Sequence, residues 1–263
     1  MRADTKIFGC IADPIDHVKA PTMFTNEFIQ RNINAVMIPI NVKKDNLKEV
    51  LNGLKKINNF CGLTVTIPHK VEVLKYCDHL HDEAQETQAV NWIKFQNKKI
   101  VGNNFDGLGF VNGLKKSGII TNNKSFCIFG AGGAGMAIAF SLLKQNIQKL
   151  KIVNRNILKG KKLKNRLEHY FPESYIELED LNNYNLANID VVVNATSIGL
   201  KDSKETPFDV KLTKESCIVA DIIMEPEETE LIKQAKKIKR KVHLGKNMLE
   251  NQIELAGKFL EIW

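Results

Sequence analysis

One short run of the sequence, GLTVTIPHK at residues 62–70, combines a strand pattern with groups that can carry out acid–base chemistry. Apolar residues alternate with Thr64 and Thr66, which predicts a strand with one apolar face and one hydroxyl-bearing face, ended by Pro68. Lys70 then supplies a cation that can protonate an oxygen as it gains negative charge. The sequence gives His69 no role of its own.

A carboxylate that could assist this lysine stands at Asp106, in NNFDG, where a helix over about 106–118 is predicted. A lysine held by a carboxylate keeps its charge and its direction. Taken alone, the two residues fit a plainer interpretation better. In that interpretation Lys70 is a solvent-exposed lysine at a helix start and Asp106 is a helix N-cap.

A glycine loop, GAGGAG at residues 130–135, follows the strand-like SFCIFG and opens a helix-like run. Gly130, Gly132 and Gly135 have the G-x-G-x-x-G spacing, which in a strand–loop–helix context favours a dinucleotide-binding turn. The pyrophosphate would lie against the loop backbone and the helix N-terminus. The backbone cradle is predicted to comprise Gly130, Ala131, Gly132, Gly133 and Ala134.

The strand that follows the glycine loop indicates which dinucleotide is bound. It ends in NRNILK, with Asn154, Arg155, Asn156 and Lys159 and no acid for the ribose hydroxyls. Arg155 can stack on adenine and pair with a 2′-phosphate, so NADP(H) is favoured over NAD. A basic loop on an already basic protein is the alternative.

Buried strand ends gather ligands in open sheets, and Asn194, Ala195 and Thr196 end the apolar run DVVVNATS. We therefore expect these residues near the cofactor as well.

Composition narrows the class of protein. The 263 residues carry a net charge of +8 from lysines scattered through helical stretches, without the aromatic or glycine–arginine interleaving of nucleic-acid binders. Five widely spaced cysteines indicate reduced thiols, and no signal peptide or membrane span is evident. The sequence thus predicts a cytoplasmic protein, a monomer or homodimer, with a small-molecule substrate and neither a nucleic-acid nor a membrane partner.

Strand and helix signals alternate in two series, which predicts an α/β protein with parallel-rich sheets. We expect a substrate domain over 1–105, completed by a helix over 246–263, and a Rossmann-type domain over 106–245. The C-terminal helix is predicted to be continuous, and residues 71–80 are predicted to be helical. Asp78, His79, His81 and Asp82 resemble a metal cluster, but helical spacing separates them, so no metal site is predicted.

The ordered set VTIPHK, AVN, NNFDG, GAGGAG, NRN, VNAT and GKNMLENQ resembles the shikimate/quinate dehydrogenase family over nearly the whole chain. The resemblance implies NADP(H)-linked interconversion of a cyclic hydroxy acid and its ketone, at a cleft between two domains. It also implies that Lys70 and Asp106 form the catalytic pair. Positions that match the family's sites are the polar residues Thr66, Asn91 and Gln252 for the substrate and Gly245 for the cofactor.

The chain departs from the family where the substrate carboxylate is held. Val18 and Ala20 replace two hydroxyl residues, Thr64 replaces an asparagine, and Met224 replaces a tyrosine. Two explanations are open. In one, other groups hold the carboxylate, for which Lys19, His17 and Thr64 are the candidates. Alternatively, the substrate lacks a carboxylate at that place and the pocket is more apolar.

A different substrate is therefore one alternative. A nicotinamide-binding regulatory module without turnover is another, although retention of both Lys70 and Asp106 favours an enzyme.

Overall fold

The computed structural model describes residues 2–263, apart from the side chain of Asp202. Strands and helices alternate along most of the chain, as predicted. The strands are β1 (Lys6–Ala12), β2 (Ala35–Asn41), β3 (Phe60–Val65), β4 (His79–Leu80), β5 (Trp92–Gln96), β6 (Lys99–Asn103), β7 (Ser125–Phe129), β8 (Lys149–Val153), β9 (Ile176–Glu179), β10 (Val191–Asn194), β11 (Ile218–Asp221) and β12 (Lys241–His243). The helices are α1 (Ala20–Gln30), α2 (Leu47–Leu54), α3 (Asp82–Thr87), α4 (Asp106–Lys116), α5 (Gly133–Leu143), α6 (Ile157–Tyr170), α7 (Glu230–Lys237), α8 (Gly245–Glu250) and α9 (Ile253–Phe259).

The chain folds into two compact units. The first contains residues 2–105 and Gln252–Trp263, and the second contains Asp106–Asn251. The sequence places the end of the second unit at residue 245, six residues earlier. The difference is α8, which packs on α4 inside the second unit.

The first unit is built on a mixed sheet in the order β2-β1-β3-β5-β6-β4. The β5–β6 hairpin is antiparallel, as predicted from AVNWIKFQ and KKIVGNN, whereas β1 pairs in parallel with both β2 and β3. On one face Leu63 and Val65 pack with Leu47 and Leu51 of α2. On the other face aromatic rings of β1, α1 and β5 stack together. The sheet is therefore covered on both sides within its own unit.

The prediction of a helix over residues 71–80 is wrong. The segment forms a short 3-10 helix, Val73–Tyr76, and then the strand β4. Asp78 is the reason: its backbone N–H donates to the Ile100 carbonyl at 2.8 Å, and its carboxylate accepts the Ile100 N–H at 2.7 Å. These bonds join the segment to β6. The helical spacing of its apolar residues gives no sign that the partner of Asp78 lies in a strand 22 residues further along the chain.

The second unit is built on a parallel sheet in the order β12-β11-β10-β7-β8-β9. Taken in chain order within the unit, this is the doubly wound arrangement in which two halves diverge from a central pair of strands. Here that pair is β7 and β10. Strand β9 completes one edge of the sheet and was not predicted from the sequence.

Helices cover both faces of this sheet. Phe140 and Ile138 of α5 lie in the core on one face, and Leu231 and Ala235 of α7 lie in the core on the other. Helix α4 packs closely on α5, since a Cβ at Gly107 would overlap the carbonyl oxygen of Ala137. Among residues 2–263, no helix is both long and apolar enough to cross a bilayer.

The C-terminal segment is two helices rather than one. Helix α8 ends at Glu250, where Asn251 donates its side-chain amide to the Asn247 carbonyl at 2.8 Å, and α9 begins at Ile253. Gln252 therefore lies at the break between the helices, and its backbone carbonyl accepts the Ala256 N–H at 2.8 Å. Leu249 of α8 and Ile253 of α9 therefore belong to different units.

His243, at the end of β12, is a buried neutral histidine. Its side chain is 1% exposed, its Nδ1 lies 3.3 Å from Asn247 Nδ2, and its ring stands perpendicular to that of Phe110. Within residues 2–263 its Nε2 finds no hydrogen-bond partner. Burial lowers the pKa of His243 to about 4.

This histidine predicts a loss of stability in mild acid. Between pH ~6.5 and pH ~4 the unfolded chain binds a proton that the folded chain does not, so stability falls as the pH falls. The fully developed effect is about 3 kcal/mol. Urea unfolding of wild type and His243→Gln at pH 7, 5.5 and 4.5 measures it, because other titrating groups cancel in the difference. A wild-type minus variant difference that does not change with pH would contradict the prediction.

Candidate functional site

Lys70 follows the end of β3 and is fixed through its backbone. The Lys70 carbonyl accepts the Val90 N–H at 2.8 Å, which ties the segment to the residues that precede β5. Its neighbour His69 is fully buried, and the Nε2 of His69 donates to the Val42 carbonyl at 2.7 Å. Burial lowers the pKa of His69, so this ring is neutral and anchors the segment that carries Lys70.

The charge of Lys70 acts on the thiol of Cys10 in β1. Burial raises the pKa of Cys10 to about 12, and the nearby lysine cation opposes that rise. Cys10 lies opposite Thr64, and Thr64 lies opposite Trp92, so these three residues form a row across β1, β3 and β5. The lysine is therefore close to one end of a row of buried side chains.

Asn91 and Gln252, both predicted from the family resemblance, meet in this unit. Asn91 Nδ2 donates to Gln252 Oε1 at 2.9 Å, and the Trp92 indole Nε1 donates to the same oxygen at 3.1 Å. Asn91 Oδ1 in turn accepts the Phe105 N–H at 2.8 Å. The structure thus brings together two residues that are 161 positions apart in the chain.

The positions that depart from the family pattern lie in the same unit. Thr64 is buried, and its hydroxyl donates to the Asn91 carbonyl at 3.2 Å, so this donor is already used within the protein. Ala20 is the first residue of α1 and is buried, whereas Val18 and Thr66 are half-buried. None of the side chains at 18 and 20 offers a hydrogen-bond donor.

In the second unit, the glycine loop lies at the point where the doubly wound sheet diverges. Gly130 follows β7 and has a φ of 111°, and a Cβ there would lie 2.8 Å from the Ala195 carbonyl oxygen beyond β10. Only glycine combines that backbone conformation with so close an approach. Gly132 precedes α5 as its N-cap, so the helix N-terminus begins at the loop, as the sequence predicts.

The NRN segment after β8 divides into anchoring and exposed residues. Asn154 Oδ1 accepts the Ala131 N–H at 3.0 Å, which holds the glycine loop, and Asn156 Oδ1 caps α6 by accepting the Lys159 N–H at 3.1 Å. The side chains of Arg155 and Lys159 are exposed. The two asparagines therefore shape the loop, and the two cations are available to a ligand.

Asn194 is fully buried and has a structural role. Its amide nitrogen donates to the Ile198 carbonyl and to the Asp221 carboxylate, and its oxygen accepts from the N–H and hydroxyl of Thr196. These four bonds use all of its hydrogen-bonding capacity, so its side chain has none left for a cofactor. Ala195 and Thr196, also predicted to be near the cofactor, border the glycine loop.

The strand ends of the second unit also hold a buried acid. Asp221 accepts from the Ile223 N–H at 3.0 Å and the Thr229 hydroxyl at 2.7 Å, besides Asn194. Burial raises the pKa of Asp221 to about 6, although these donors favour the charged form.

Three further predicted positions lie in the second unit. Asp106 is 2% exposed and is the first residue of α4. Gly245 begins α8 against the backbone carbonyls of Ile222 and Ile223, where a Cβ would not fit. Met224 is half-buried after β11.

Trp92 and Asp221 hydrogen-bond to predicted site residues, Gln252 and Asn194 respectively, and the sequence did not single them out. In the sequence, Trp92 is one of the aromatic residues of a predicted strand, and Asp221 lies at the end of an apolar run. A tryptophan directly after the asparagine of AVN was the available signal, because a buried indole N–H needs an acceptor.

A doubly wound unit with a glycine loop at its divergence point is the arrangement of dinucleotide-binding proteins, and here a second α/β unit is joined to it. Residues 10–93 match the family model of the shikimate dehydrogenase substrate binding domain, and residues 114–226 match that of shikimate / quinate 5-dehydrogenase. The chain belongs to the shikimate/quinate dehydrogenase family.

Individual relatives agree with the family assignment. The chain is 36% identical to the shikimate dehydrogenase (NADP(+)) of Methanocaldococcus jannaschii over 269 residues, covering all of this chain and 93% of that protein. A crystal structure of a shikimate dehydrogenase in complex with NADP+ has a TM-score of 0.92 and 34% identity, covering 99% of this chain and 91% of the other.

A ligand-free 5-ketofructose reductase of Gluconobacter sp. strain CHM43 is also similar, with a TM-score of 0.86 and 28% identity over 97% of this chain and 92% of that one. The same fold therefore occurs in relatives with different named substrates.

Proposed function

We propose that the chain is an NADP(H)-dependent shikimate dehydrogenase that interconverts 3-dehydroshikimate and shikimate. The observation that carries the proposal is family membership over the full chain, with curated shikimate dehydrogenase (NADP(+)) relatives at up to 36% identity. The first unit serves as the substrate domain, and residues 106–251 serve as the dinucleotide-binding domain. A cytoplasmic location and a monomeric or homodimeric state stay predictions.

The second unit fits an NADP(H) molecule. The backbone from Gly130 to Ala134 would hold the pyrophosphate at the N-terminus of α5, and the exposed Arg155 and Lys159 would pair with the 2′-phosphate. Ala195, Thr196 and Gly245 would border the cofactor. When bound, NADPH supplies the hydride for ketone reduction.

Lys70 is the general acid and base of the reaction. As the ketone oxygen gains negative charge, the Lys70 ammonium donates a proton to it, and in the reverse direction the amine removes the hydroxyl proton. Asp106 is the assisting carboxylate. His69 and the Lys70 carbonyl hold the lysine's backbone in place, so the side chain starts from a fixed point. Thr66, Asn91 and Gln252 bind the substrate's oxygens.

A second substrate class is favoured by the residues at positions 18 and 20. A neutral polyhydroxy ketone, such as the substrate in the name of the related 5-ketofructose reductase, needs no donors for a carboxylate. Val18 and Ala20 provide none, and the hydroxyl of Thr64 is used by Asn91.

Steady-state kinetics on wild type and the double variant Val18→Ser/Ala20→Ser separate the two substrate classes. We expect wild type to oxidise shikimate with NADP+. The double variant should raise kcat/KM for shikimate about tenfold or more, since each new hydroxyl bond contributes about 1 kcal/mol. 5-Ketofructose with NADPH is the control substrate, and its kcat/KM should not rise. Turnover of 5-ketofructose and none of shikimate would refute the primary proposal.

Substitution of the proposed acid–base residue tests the mechanism. Lys70→Ala should lower kcat for shikimate about 10²–10⁴-fold, the usual contribution of a positioned acid–base group, and leave NADP+ affinity unchanged. Lys75→Ala is the matched control, because Lys75 lies in the same segment, is exposed and forms an ion pair with Glu72. Near-normal turnover in Lys70→Ala would exclude Lys70 as the acid–base group.

Substitution of Arg155 tests the cofactor preference. Arg155→Ala should weaken NADP+ binding about 10–100-fold, as expected for loss of a charge-assisted bond of about 1.5–3 kcal/mol, and leave NAD+ binding unchanged. Titration followed by fluorescence or calorimetry measures both dissociation constants. Lys241→Ala, an exposed cation on the edge strand β12, controls for net charge. Equal weakening of both cofactors would rule out a 2′-phosphate contact by Arg155.

A further inference from the structure

The oxygen of the Gln252 side chain is held by two donors. Asn91 Nδ2 lies 2.9 Å from Gln252 Oε1, and Trp92 Nε1 lies 3.1 Å from the same atom. All three side chains are buried, with at most 2% of their surface exposed. The pairing therefore forms in a region of low dielectric, where a misplaced donor or acceptor is costly.

The orientation of each amide follows from groups that can only donate. The Phe105 backbone N–H donates to Asn91 Oδ1 at 2.8 Å, which turns the Asn91 nitrogen toward Gln252. The indole Nε1 of Trp92 is likewise a donor only. Both neighbours therefore require an oxygen at Gln252, and a flipped amide would set donor against donor. As a result, the Gln252 nitrogen is turned away from Asn91 and Trp92.

Trp92 is the β5 member of the row of side chains formed with Thr64 and Cys10. It lies opposite Thr64, which lies opposite Cys10, the thiol on which the Lys70 charge acts. Its ring packs on Phe24 of α1 with centroids 4.8 Å apart. Phe24 belongs to the helix that starts at Ala20, so Trp92 also supports the segment that has lost the family's hydroxyls.

We propose that Trp92 is a positioning residue for the substrate site, and that its indole N–H locks the orientation of the Gln252 side chain by holding its amide oxygen. The Gln252 amide then keeps one orientation toward a bound substrate. The inference rests on the proposed function, in which Gln252 contacts the substrate.

Trp92→Phe is the most informative variant, because it keeps an aromatic ring against Phe24 and removes the indole N–H. We expect KM for shikimate to rise about five- to tenfold, the effect of one neutral hydrogen bond. We expect kcat to change less than threefold and NADP+ affinity to be unaffected. Trp263→Phe is the matched control, since that ring packs against Phe28 and Arg31.

A double-mutant cycle with Gln252→Ala distinguishes positioning from a general effect on packing. If Trp92 acts through Gln252, Trp92→Phe adds no further increase in KM once Gln252 is alanine. Equal effects of Trp92→Phe in the wild-type and Gln252→Ala backgrounds would overturn the inference.

A direct readout that needs no substrate is the indole N–H signal in ¹H–¹⁵N spectra. The chain has two tryptophans, so the Trp263→Phe variant identifies the Trp92 peak. Gln252→Ala should move this peak and speed its hydrogen exchange. Gln252→Glu, whose carboxylate accepts both donors, should keep the exchange slow but raise KM because it has no amide N–H to offer. An indole peak unchanged by Gln252→Ala would overturn the inference whatever the substrate is.

The two proposals fail in different ways. Wild-type protein that does not turn over shikimate refutes the proposed function, and the indole peak still decides whether Trp92 holds Gln252. Normal shikimate turnover with an unchanged KM in Trp92→Phe refutes the positioning role and leaves the proposed function standing.

Discussion

The first unit depends on the hydrogen bond between Asn91 Nδ2 and Gln252 Oε1. It joins the start of β5 to the start of α9, so the last residues of the chain return to the unit formed by residues 2–105. Because both amides are buried, breaking the bond would leave polar groups without water, which costs more than the bond itself contributes. Donor-only neighbours on either side, the Phe105 N–H and the Trp92 indole, fix the direction of the whole chain of bonds.

The need to pair buried polar groups within the protein also shapes the strand ends of the second unit, where other residues meet it. Asn194 is saturated by Thr196, Ile198 and Asp221, and Asp221 is held by Thr229, the N-cap of α7. These bonds connect the end of β10, the end of β11 and a helix start. They also fix the Ala195 carbonyl, against which Gly130 turns. A rigid backbone at the divergence point of the sheet is what a pyrophosphate cradle requires.

Features with a local cause could be predicted from the sequence. The alternation of strands and helices, the β5–β6 hairpin and the strand–loop–helix around Gly130 follow from periodicity and glycine spacing, and the structure confirms them. Features with a distant cause could not. Residues 71–80 have helical spacing but pair with β6, because the partner of Asp78 is Ile100. The contact of Gln252 with Asn91 and Trp92 likewise joins distant parts of the chain, and no local pattern around residue 252 indicates it.

Some features of the candidate site could likewise be predicted from the sequence, and others could not. Motif spacing placed Gly130 after one strand and the NRN segment after the next, where the structure has them, but it could not tell an anchoring residue from an exposed one. Asn154 and Asn194 carry the same side chain as a ligand-binding asparagine would, yet internal bonds account for them. Arg155, in contrast to these two asparagines, has an exposed side chain. Exposure depends on which neighbours cover a residue, and motif spacing does not give those neighbours. Trp92 was missed because its role depends on an acceptor from the other end of the chain.

Two features bear on which hydrogen bonds the proposed substrate site can offer. Positions 18 and 20 lack the family's hydroxyl groups, and the Gln252 side chain is locked in one orientation. A substrate site with fewer hydroxyl donors has fewer groups that can adapt to a ligand, since a hydroxyl rotates and either donates or accepts, whereas a fixed amide nitrogen only donates. Thr64 does not compensate, because its hydroxyl already serves the Asn91 carbonyl. In the proposed substrate site, the direction of each remaining polar group therefore matters more. Gln252 has one fixed orientation there, because its oxygen is held twice, and the side chains of Val18 and Ala20 add no hydrogen-bond donor.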